Sequence, residues 1–101
     1  MLTSKQRAFL RKQAMMKDPE LHLGKDALKE TCLVEMDQLL RTRELVKTAV
    51  LKNCDEEVRE MAEEMAEALG ADVVQVVGRR FVLYRHSREL AKKGRAIVLP
   101  R

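Results

Sequence analysis

Two short turns in this sequence combine glycine with basic residues in a way that suits phosphate binding. Gly78 is followed by Arg79 and Arg80 between two apolar segments, and Gly24 is followed by Lys25. Glycine lets the backbone approach a ligand closely, and backbone amides in a turn can face a phosphate. Arginine adds fork-shaped donors that match phosphate oxygens. Taken alone, a charged hairpin turn is equally typical of a solvated surface.

Further basic residues extend this candidate surface. Arg85 follows the second apolar segment, and the first predicted helix is rich in lysine and arginine. If both turns lie at one end of a sheet, with this helix close by, they form a single phosphate-binding surface. The candidate binding residues are Lys5, Arg7, Arg11, Lys12, Gly24, Lys25, Gly78, Arg79, Arg80 and Arg85.

The residue types that build catalytic or metal sites form no recognisable arrangement in the sequence. His22 and His86 have no nucleophile paired with them, so a catalytic triad cannot be argued. Cys32 and Cys54 stand apart, without the grouped ligands that zinc needs, and we interpret them as free thiols of a reducing cytosol. No P-loop is present. We therefore expect no enzyme, no metal, no other cofactor and no small-molecule substrate.

The charge of the chain is unevenly distributed along its 101 residues. Residues 55–77 contain eight acidic residues and one basic residue, whereas residues 78–101 contain eight basic residues and one acidic residue. Such polarity can orient a protein on a polyanion. No apolar run is long enough to cross a bilayer, so we expect no membrane partner and a cytoplasmic location.

Helices and strands alternate along the first half of the chain. Thr3 and Gln6 form a capping-box pattern that opens a first helix ending near Met16. Residues 20–23 alternate in polarity and predict a short strand. Asp26 follows the next turn and is a suitable N-cap for a second helix.

The second half continues this alternation. The second helix ends near residues 41–43, and residues 45–51, rich in β-branched side chains, predict a strand. Asp55 caps a third helix, which ends at Gly70, and two strands then flank the Gly78 turn. The order α-β-α-β-α-β-β predicts an α+β sandwich in which one mixed four-stranded sheet packs with three helices.

We divide the chain into one domain, residues 1–86, and a basic C-terminal tail, residues 87–101. Within the tail, residues 88–93 could form a helical turn and residues 96–99 a short strand. A flexible tail is equally compatible with its composition.

Four segments, taken together, resemble the CRM domain. They are LTSKQRAFLRKQA, HLGKDALKET, RELVKTAVL and VVQVVGRRFVLYR, which follow the family's order and spacing over residues 2–86. The resemblance implies an α-β-α-β-α-β-β sandwich similar to the C-terminal domain of a bacterial initiation factor. It also implies RNA binding without catalysis, as in chloroplast splicing factors and in the stand-alone bacterial YhbY-like proteins linked to maturation of the large ribosomal subunit.

The GxxG-type loop of this family, which is compared with that of KH domains, falls on residues 78–81. Its second glycine is replaced here by Phe81. Because Phe81 continues an apolar strand, we expect it in the core rather than stacked on a base. The sequence thus predicts a small RNA-binding protein that associates with large-subunit ribosomal RNA or with pre-ribosomal particles and their proteins.

The acidic third helix leaves an alternative function open. In this alternative, the chain is a protein-interaction module that docks the helix on a basic partner such as a ribosomal protein. The glutamates concerned are Glu56, Glu60, Glu63 and Glu67.

Overall fold

The computed structural model describes residues 2–25, 28–54 and 56–101, and within these ranges helices and strands alternate as predicted. The helices are α1 (Ser4–Met15), α2 (Glu30–Arg43), α3 (Val58–Leu69) and α4 (Arg88–Lys92). The strands are β1 (Leu21–Leu23), β2 (Leu45–Val50), β3 (Asp72–Val77) and β4 (Arg80–Tyr84). The predicted α-β-α-β-α-β-β order is confirmed, and α4 follows it as a short additional helix. No helix in the described ranges is long and apolar enough to span a membrane.

Local side-chain chemistry explains where α1 begins and where α3 ends. Thr3 Oγ1 accepts a hydrogen bond from the Gln6 amide, and Gln6 Oε1 accepts one from the Thr3 amide, each at 3.1 Å. These two bonds are the predicted capping box. Gly70 ends α3 with a φ of 65°, a left-handed conformation that glycine adopts without a steric penalty.

The predicted N-caps of the second and third helices, Asp26 and Asp55, lie outside the described residues. The N-cap positions of α2 and α3 are instead occupied by Lys29 and Glu57. The Glu57 side chain accepts a hydrogen bond from the Glu60 amide at 3.1 Å, as an N-cap carboxylate can. Both helices therefore begin later than the sequence predicts.

The strands of the described residues form one mixed four-stranded sheet in the order β1-β2-β4-β3. β1 is parallel to β2, whereas β4 is antiparallel to both of its neighbours, β2 and β3. The C-terminal ends of β1, β2 and β3 and the N-terminal end of β4 therefore lie at the same end of the sheet. We call it the turn end, because the Gly24 and Gly78 turns follow β1 and β3 there.

Each face of the sheet carries an apolar core, because successive strand residues point to opposite faces. On one face, Val46 of β2 and Phe81 of β4 pack against α2 and α3; we call this the helix-pair face. On the other, the α1 face, Val82 and Tyr84 of β4 pack against Leu10 of α1. Phe81 is 1% exposed, so its predicted place in the core is confirmed.

The last residues of the C-terminal tail pack on the α1 face. Ile97 and Leu99 contact the core that contains Leu10 and Tyr84, and Gln6 Nε2 donates a hydrogen bond to the Pro100 carbonyl at 3.0 Å. Residues 96–99 do not form a strand. The tail is therefore a short helix, α4, followed by irregular chain that supports α1.

Glu44, between α2 and β2, connects this tail to the rest of the fold. Its side chain is fully buried; Oε2 accepts a hydrogen bond from the Ser87 amide at 2.7 Å, and Oε1 accepts one from the Ile97 amide at 2.6 Å. Its carbonyl accepts a third from the Arg85 amide at 3.0 Å. Glu44 has a φ of 63°, which is uncommon outside glycine and persists where surrounding contacts compensate for the strain.

We expect Glu44→Gln to lower the free energy of unfolding by about 2–3 kcal/mol, because the new amide group would face a backbone N–H that then loses its acceptor. Urea unfolding measures the change. Glu64→Gln, on the exposed surface of α3, is the control and should change stability by less than about 0.5 kcal/mol. Equal effects of the two substitutions would contradict the assigned role of Glu44.

Glu20, just before β1, makes a second junction near the opposite end of the sheet from the turns. Its carboxylate forms ion pairs with Lys17 and Arg43, each at 2.7 Å, and accepts a hydrogen bond from the Lys47 amide at 3.3 Å. Burial raises the pKa of the Glu20 carboxyl, but the hydrogen bonds from Lys17, Arg43 and Lys47 outweigh burial and hold the pKa below its ordinary value.

The pKa of Glu20 is lower in the folded chain than in the unfolded chain. Ionised Glu20 therefore stabilises the fold fully when the pH is above its unfolded-state pKa, and this stabilisation is lost as the pH falls through its folded-state pKa. We expect Glu20→Gln to reduce stability at pH 7 and to flatten the dependence of unfolding free energy on pH between about pH 5 and 3. Urea unfolding across that range tests this. The exposed Glu63, changed to Gln, controls for loss of one carboxylate; a profile identical in both variants would argue against the role of Glu20.

Candidate nucleic-acid interface

The structure brings the two predicted glycine turns to the turn end of the sheet. Leu23 pairs with Val50 in the parallel β1–β2 ladder, and the Val50 amide donates to the Arg79 carbonyl at 2.7 Å. A Cβ placed on Gly24 would lie 3.1 Å from Asn53 Oδ1, so the first turn also touches the loop after β2. The turn end therefore consists of three adjacent segments.

The hairpin between β3 and β4 is tighter than the sequence predicts. Val77 pairs with Arg80, which leaves Gly78 and Arg79 as a two-residue loop. Gly78 has a φ of 57°, and a two-residue hairpin that requires positive φ at its first position selects glycine. Arg80 is thus the first residue of β4 rather than part of the loop.

Arg79 turns back into the molecule. Its Nε donates to the Val50 carbonyl at 3.2 Å, and its Nη2 donates to the Leu51 and Cys54 carbonyls at 2.6 and 3.2 Å. Val50 is the last residue of β2, and Leu51 and Cys54 belong to the loop that follows it. Arg79 therefore anchors the loop after β2 to the hairpin.

Arg80 points away from Arg79, onto the α1 face, because neighbouring strand residues alternate between faces. The residue is exposed. Its guanidinium forms no hydrogen bond or ion pair with any residue in the described ranges. Of these two adjacent arginines, Arg80 is the one whose donors are available to a ligand.

Arg85 lies at the opposite end of β4 from the turn and is committed to internal contacts. Its Nη1 donates to Asp37 Oδ1 at 2.8 Å and to the Leu69 carbonyl at 3.0 Å, and its Nη2 donates to the Asp37 carbonyl at 3.1 Å. Hydrogen bonds from Arg41 and then from Arg85 lower the pKa of the Asp37 carboxyl. Arg85 joins α2 to the end of α3 and is not brought to the turn end.

The basic residues of α1 lie on the same side of the sheet as Arg80, because α1 covers part of that face. Lys5, Arg11 and Lys12 are exposed. Arg7 is half-buried, and its Nε is buried without a hydrogen-bond partner. Lys25 is exposed at the turn that follows β1. The α1 face therefore carries most of the accessible basic side chains among the predicted site residues.

Sequence reasoning missed a groove on the α1 face beside Arg80. It has a volume of about 230 Å³, and its lining includes side chains from α1 and from three strands: Met15, Lys47, Gln75, Val77, Arg80 and Val82. Lys47 Nζ donates to the carbonyls of Ala14 and Lys17 at 3.3 and 3.0 Å, so it also fixes the end of α1. Strand alternation alone could have predicted that Lys47 lies on the α1 face, but it could not have predicted this for Gln75.

The acidic residues of α3 lie on the other side of the molecule. Glu60, Glu63, Glu64 and Glu67 are exposed on the outer surface of α3, and α3 packs on the helix-pair face. Arg80 and the basic residues of α1 therefore lie on the opposite face of the sheet from the glutamates of α3.

Comparison with known proteins identifies the family. A sequence model described as the CRS1 / YhbY (CRM) domain matches residues 2–85. The solution structure of a hypothetical protein from Staphylococcus aureus superimposes with a TM-score of 0.79 at 39% identity, covering 99% of this chain and 100% of that one.

Several proteins are similar to this chain over most of their length. A Bacillus subtilis protein named "Probable RNA-binding protein YqeI" is 36% identical over 88% of this chain and 93% of its own. A Methanocaldococcus jannaschii protein, also named as a probable RNA-binding protein, is 37% identical over 96% of this chain and 76% of its own. A Haemophilus influenzae "RNA-binding protein" is 34% identical over 87% of this chain and 89% of its own.

The different contacts of the two turn arginines predict different effects on stability. Arg79→Ala should lower the free energy of unfolding by about 1–3 kcal/mol, because carbonyls of the loop after β2 lose their donors. Arg80→Ala should change it by less than about 0.5 kcal/mol. Urea unfolding of the two variants measures both values, and a larger loss for Arg80→Ala would refute this assignment.

Proposed function

The chain belongs to the CRS1 / YhbY (CRM) domain family, and from this premise we propose that it binds RNA through the α1 face of its sheet. The observation that carries the proposal is the position of Arg80: an exposed arginine without internal partners in the described ranges, at the turn end and beside a basic helix. The names of the relatives from three organisms support RNA as the ligand.

Phosphate contacts would supply most of the binding free energy. Arg80, Lys25 and the exposed basic residues of α1 can each neutralise a phosphate, which releases condensed counterions and makes affinity fall with salt. Guanidinium groups also match two phosphate oxygens at once. The glutamates on the other face keep that side away from the RNA, so the protein binds in one orientation.

The remaining predicted site residues would act through the shape of the surface. Arg79 holds the loop after β2 against the hairpin, and Gly78 gives the hairpin its tight turn. Arg85 braces α2 against α3 far from the turn. In our proposal these residues position the interface, and the direct phosphate contacts come from Arg80, Lys25 and α1.

We propose further that the RNA is large-subunit ribosomal RNA, bound alone or within pre-ribosomal particles in the cytoplasm, and that the protein acts by binding rather than by catalysis. Support comes from the resemblance to stand-alone bacterial YhbY-like proteins linked to large-subunit maturation. The alternative, docking of α3 on a basic protein, is favoured only by the exposure of its glutamates.

Binding to ribosomal RNA fragments across a salt series tests this proposal. If about five phosphates of a single-stranded segment are neutralised, log affinity should fall against log salt with a slope near −3.5. Arg80→Ala removes one contact and should make the slope shallower by about 0.7–0.9. Fragments of the large and small subunit rRNA, matched in length, test the preference for the large subunit.

Arg59→Ala is the matched control for charge, because Arg59 is also an exposed arginine but lies on α3. It should leave the salt slope unchanged. Similar slopes for wild type and Arg80→Ala would move the site away from this face. The alternative would be established instead if the protein bound no RNA but did bind a basic ribosomal protein, and if replacing the glutamates of α3 by lysine abolished that binding.

A further inference from the structure

We propose that the groove beside Arg80 holds one unpaired nucleobase of the bound RNA and prefers bases that present a keto oxygen, guanine and uracil, over adenine and cytosine. This inference rests on the proposed RNA-binding function and specifies which part of the RNA is read. The groove is defined by Met15 at the end of α1 and by Lys47, Gln75, Val77 and Arg80 on the sheet.

The register of the sheet places these side chains in two adjacent rows. In one row Lys47 of β2, Val82 of β4 and Gln75 of β3 lie side by side. Lys47 and Gln75 are therefore two strand spacings apart, about 10 Å. In the next row towards the turn end, Arg80 pairs with Val77, so the groove has a polar group on three of its sides.

A β-bulge brings Gln75 to this face. The β3–β4 register shifts between Val73 and Gln75, so the intervening Val74 is an extra residue. Val73 belongs to the core of the helix-pair face and Val74 to that of the α1 face. Strict alternation would return Gln75 to the helix-pair face, but the bulge pairs it with Val82, on the α1 face. Bulges commonly re-aim a side chain in this way.

The size and walls of the groove suit a single flat ring system. Its volume of about 230 Å³ lies below the range of roughly 300–1,000 Å³ that is typical of sites for larger ligands. Met15 is 76% exposed and Val77 is 61% exposed, which gives the groove two accessible apolar walls. A methionine thioether contacts aromatic rings favourably, so Met15 can cover one face of a base.

The polar groups of the groove favour acceptor atoms on the base. The Lys47 ammonium has three donors, and two of them go to the carbonyls of Ala14 and Lys17. The Arg80 guanidinium is unpaired within the described residues, as is the Gln75 carboxamide. Arg80 and Lys47 offer only donors, which suit the O6 and N7 of guanine and the O4 of a keto pyrimidine and oppose the amino groups of adenine and cytosine. The Gln75 carboxamide can donate or accept, so it can bond to any of the four bases.

An unpaired base is the occupant that the chemistry requires. In an A-form duplex the base edges lie in a deep, narrow major groove that side chains cannot read, so sequence is read mainly on unstacked bases of loops and bulges. The cationic rim of the groove, Arg80 and Lys47, matches the phosphates on either side of such a base. The groove therefore fits a flipped-out nucleotide of a folded RNA.

The test uses four five-nucleotide RNAs, each with a single central base (G, U, A or C) flanked by abasic positions. The protein carries isotope-labelled methionine methyl groups, whose resonances are followed by NMR as each RNA is added. The methyl resonance of Met15 should shift on binding, whereas that of Met16, which is 89% exposed but does not line the groove, should not. Central G or U should bind about fivefold more tightly, or better, than central A or C.

Gln75→Leu should weaken binding of all four central bases and keep the preference for G and U, without changing the salt slope for ribosomal RNA. Gln38→Leu, on the exposed surface of α2, should leave the binding of all four bases unchanged. RNA binding with a normal salt slope, but with an unshifted Met15 methyl or tighter binding of A or C, would overturn the inference and leave the proposed function intact. Failure of both the short RNAs and the ribosomal fragments to bind would overturn the proposed function itself.

Discussion

The buried carboxylate of Glu44 is the constraint on which the arrangement of this fold depends. It lies where α2 passes into β2, and it satisfies backbone amides of Ser87 and Ile97, which belong to the start and the middle of the tail. A buried charge of this kind is tolerated only when hydrogen bonds compensate for lost hydration. The same residue has a positive φ of 63°, so the turn into β2 and the course of the tail are fixed together.

The tail that Glu44 holds in place connects this junction to α1 and so to the proposed interface. Ile97 and Leu99 pack in the core beneath α1, and the Pro100 carbonyl accepts a hydrogen bond from Gln6. At its other end α1 is held by Lys47, which donates to two carbonyls at the helix C-terminus. The helix α1 is therefore fixed at both ends. This holds its basic side chains in place, together with Met15, its contribution to the groove beside Arg80.

At the hairpin between β3 and β4, strand geometry gives the adjacent residues Arg79 and Arg80 different contacts. Arg79 donates to carbonyls at the end of β2 and in the loop after it, and Arg80 lies at the surface of the α1 face. The same sheet separates Arg80 and the basic residues of α1, on one face, from the glutamates of α3, beyond the other. In our proposal the α1 face contacts the phosphates of the RNA, and the few residues of the groove beside Arg80 contact one base.

The sequence by itself determined the order of the elements, the capping box of α1, the helix end at Gly70 and the place of Phe81 in the core. These features depend on neighbouring residues, through periodicity, caps and turn chemistry, so a linear pattern is enough to reveal them. The family could also be recognised from four segments, because their order and spacing survive in the chain.

Only the tertiary structure decided which basic residues remain available to RNA. Arg79 and Arg85 look the same as Arg80 in the sequence, yet their partners are carbonyls and a carboxylate that lie 16 to 48 positions away along the chain. The roles of Glu44 and of the tail depend on contacts of the same long range. The orientation of Gln75 depends on a bulge that breaks strand alternation, and the residue pattern of β3 does not predict this bulge. Long-range pairing decides each of these features, because hydrogen-bond partners distant in the chain become neighbours only after the sheet has formed.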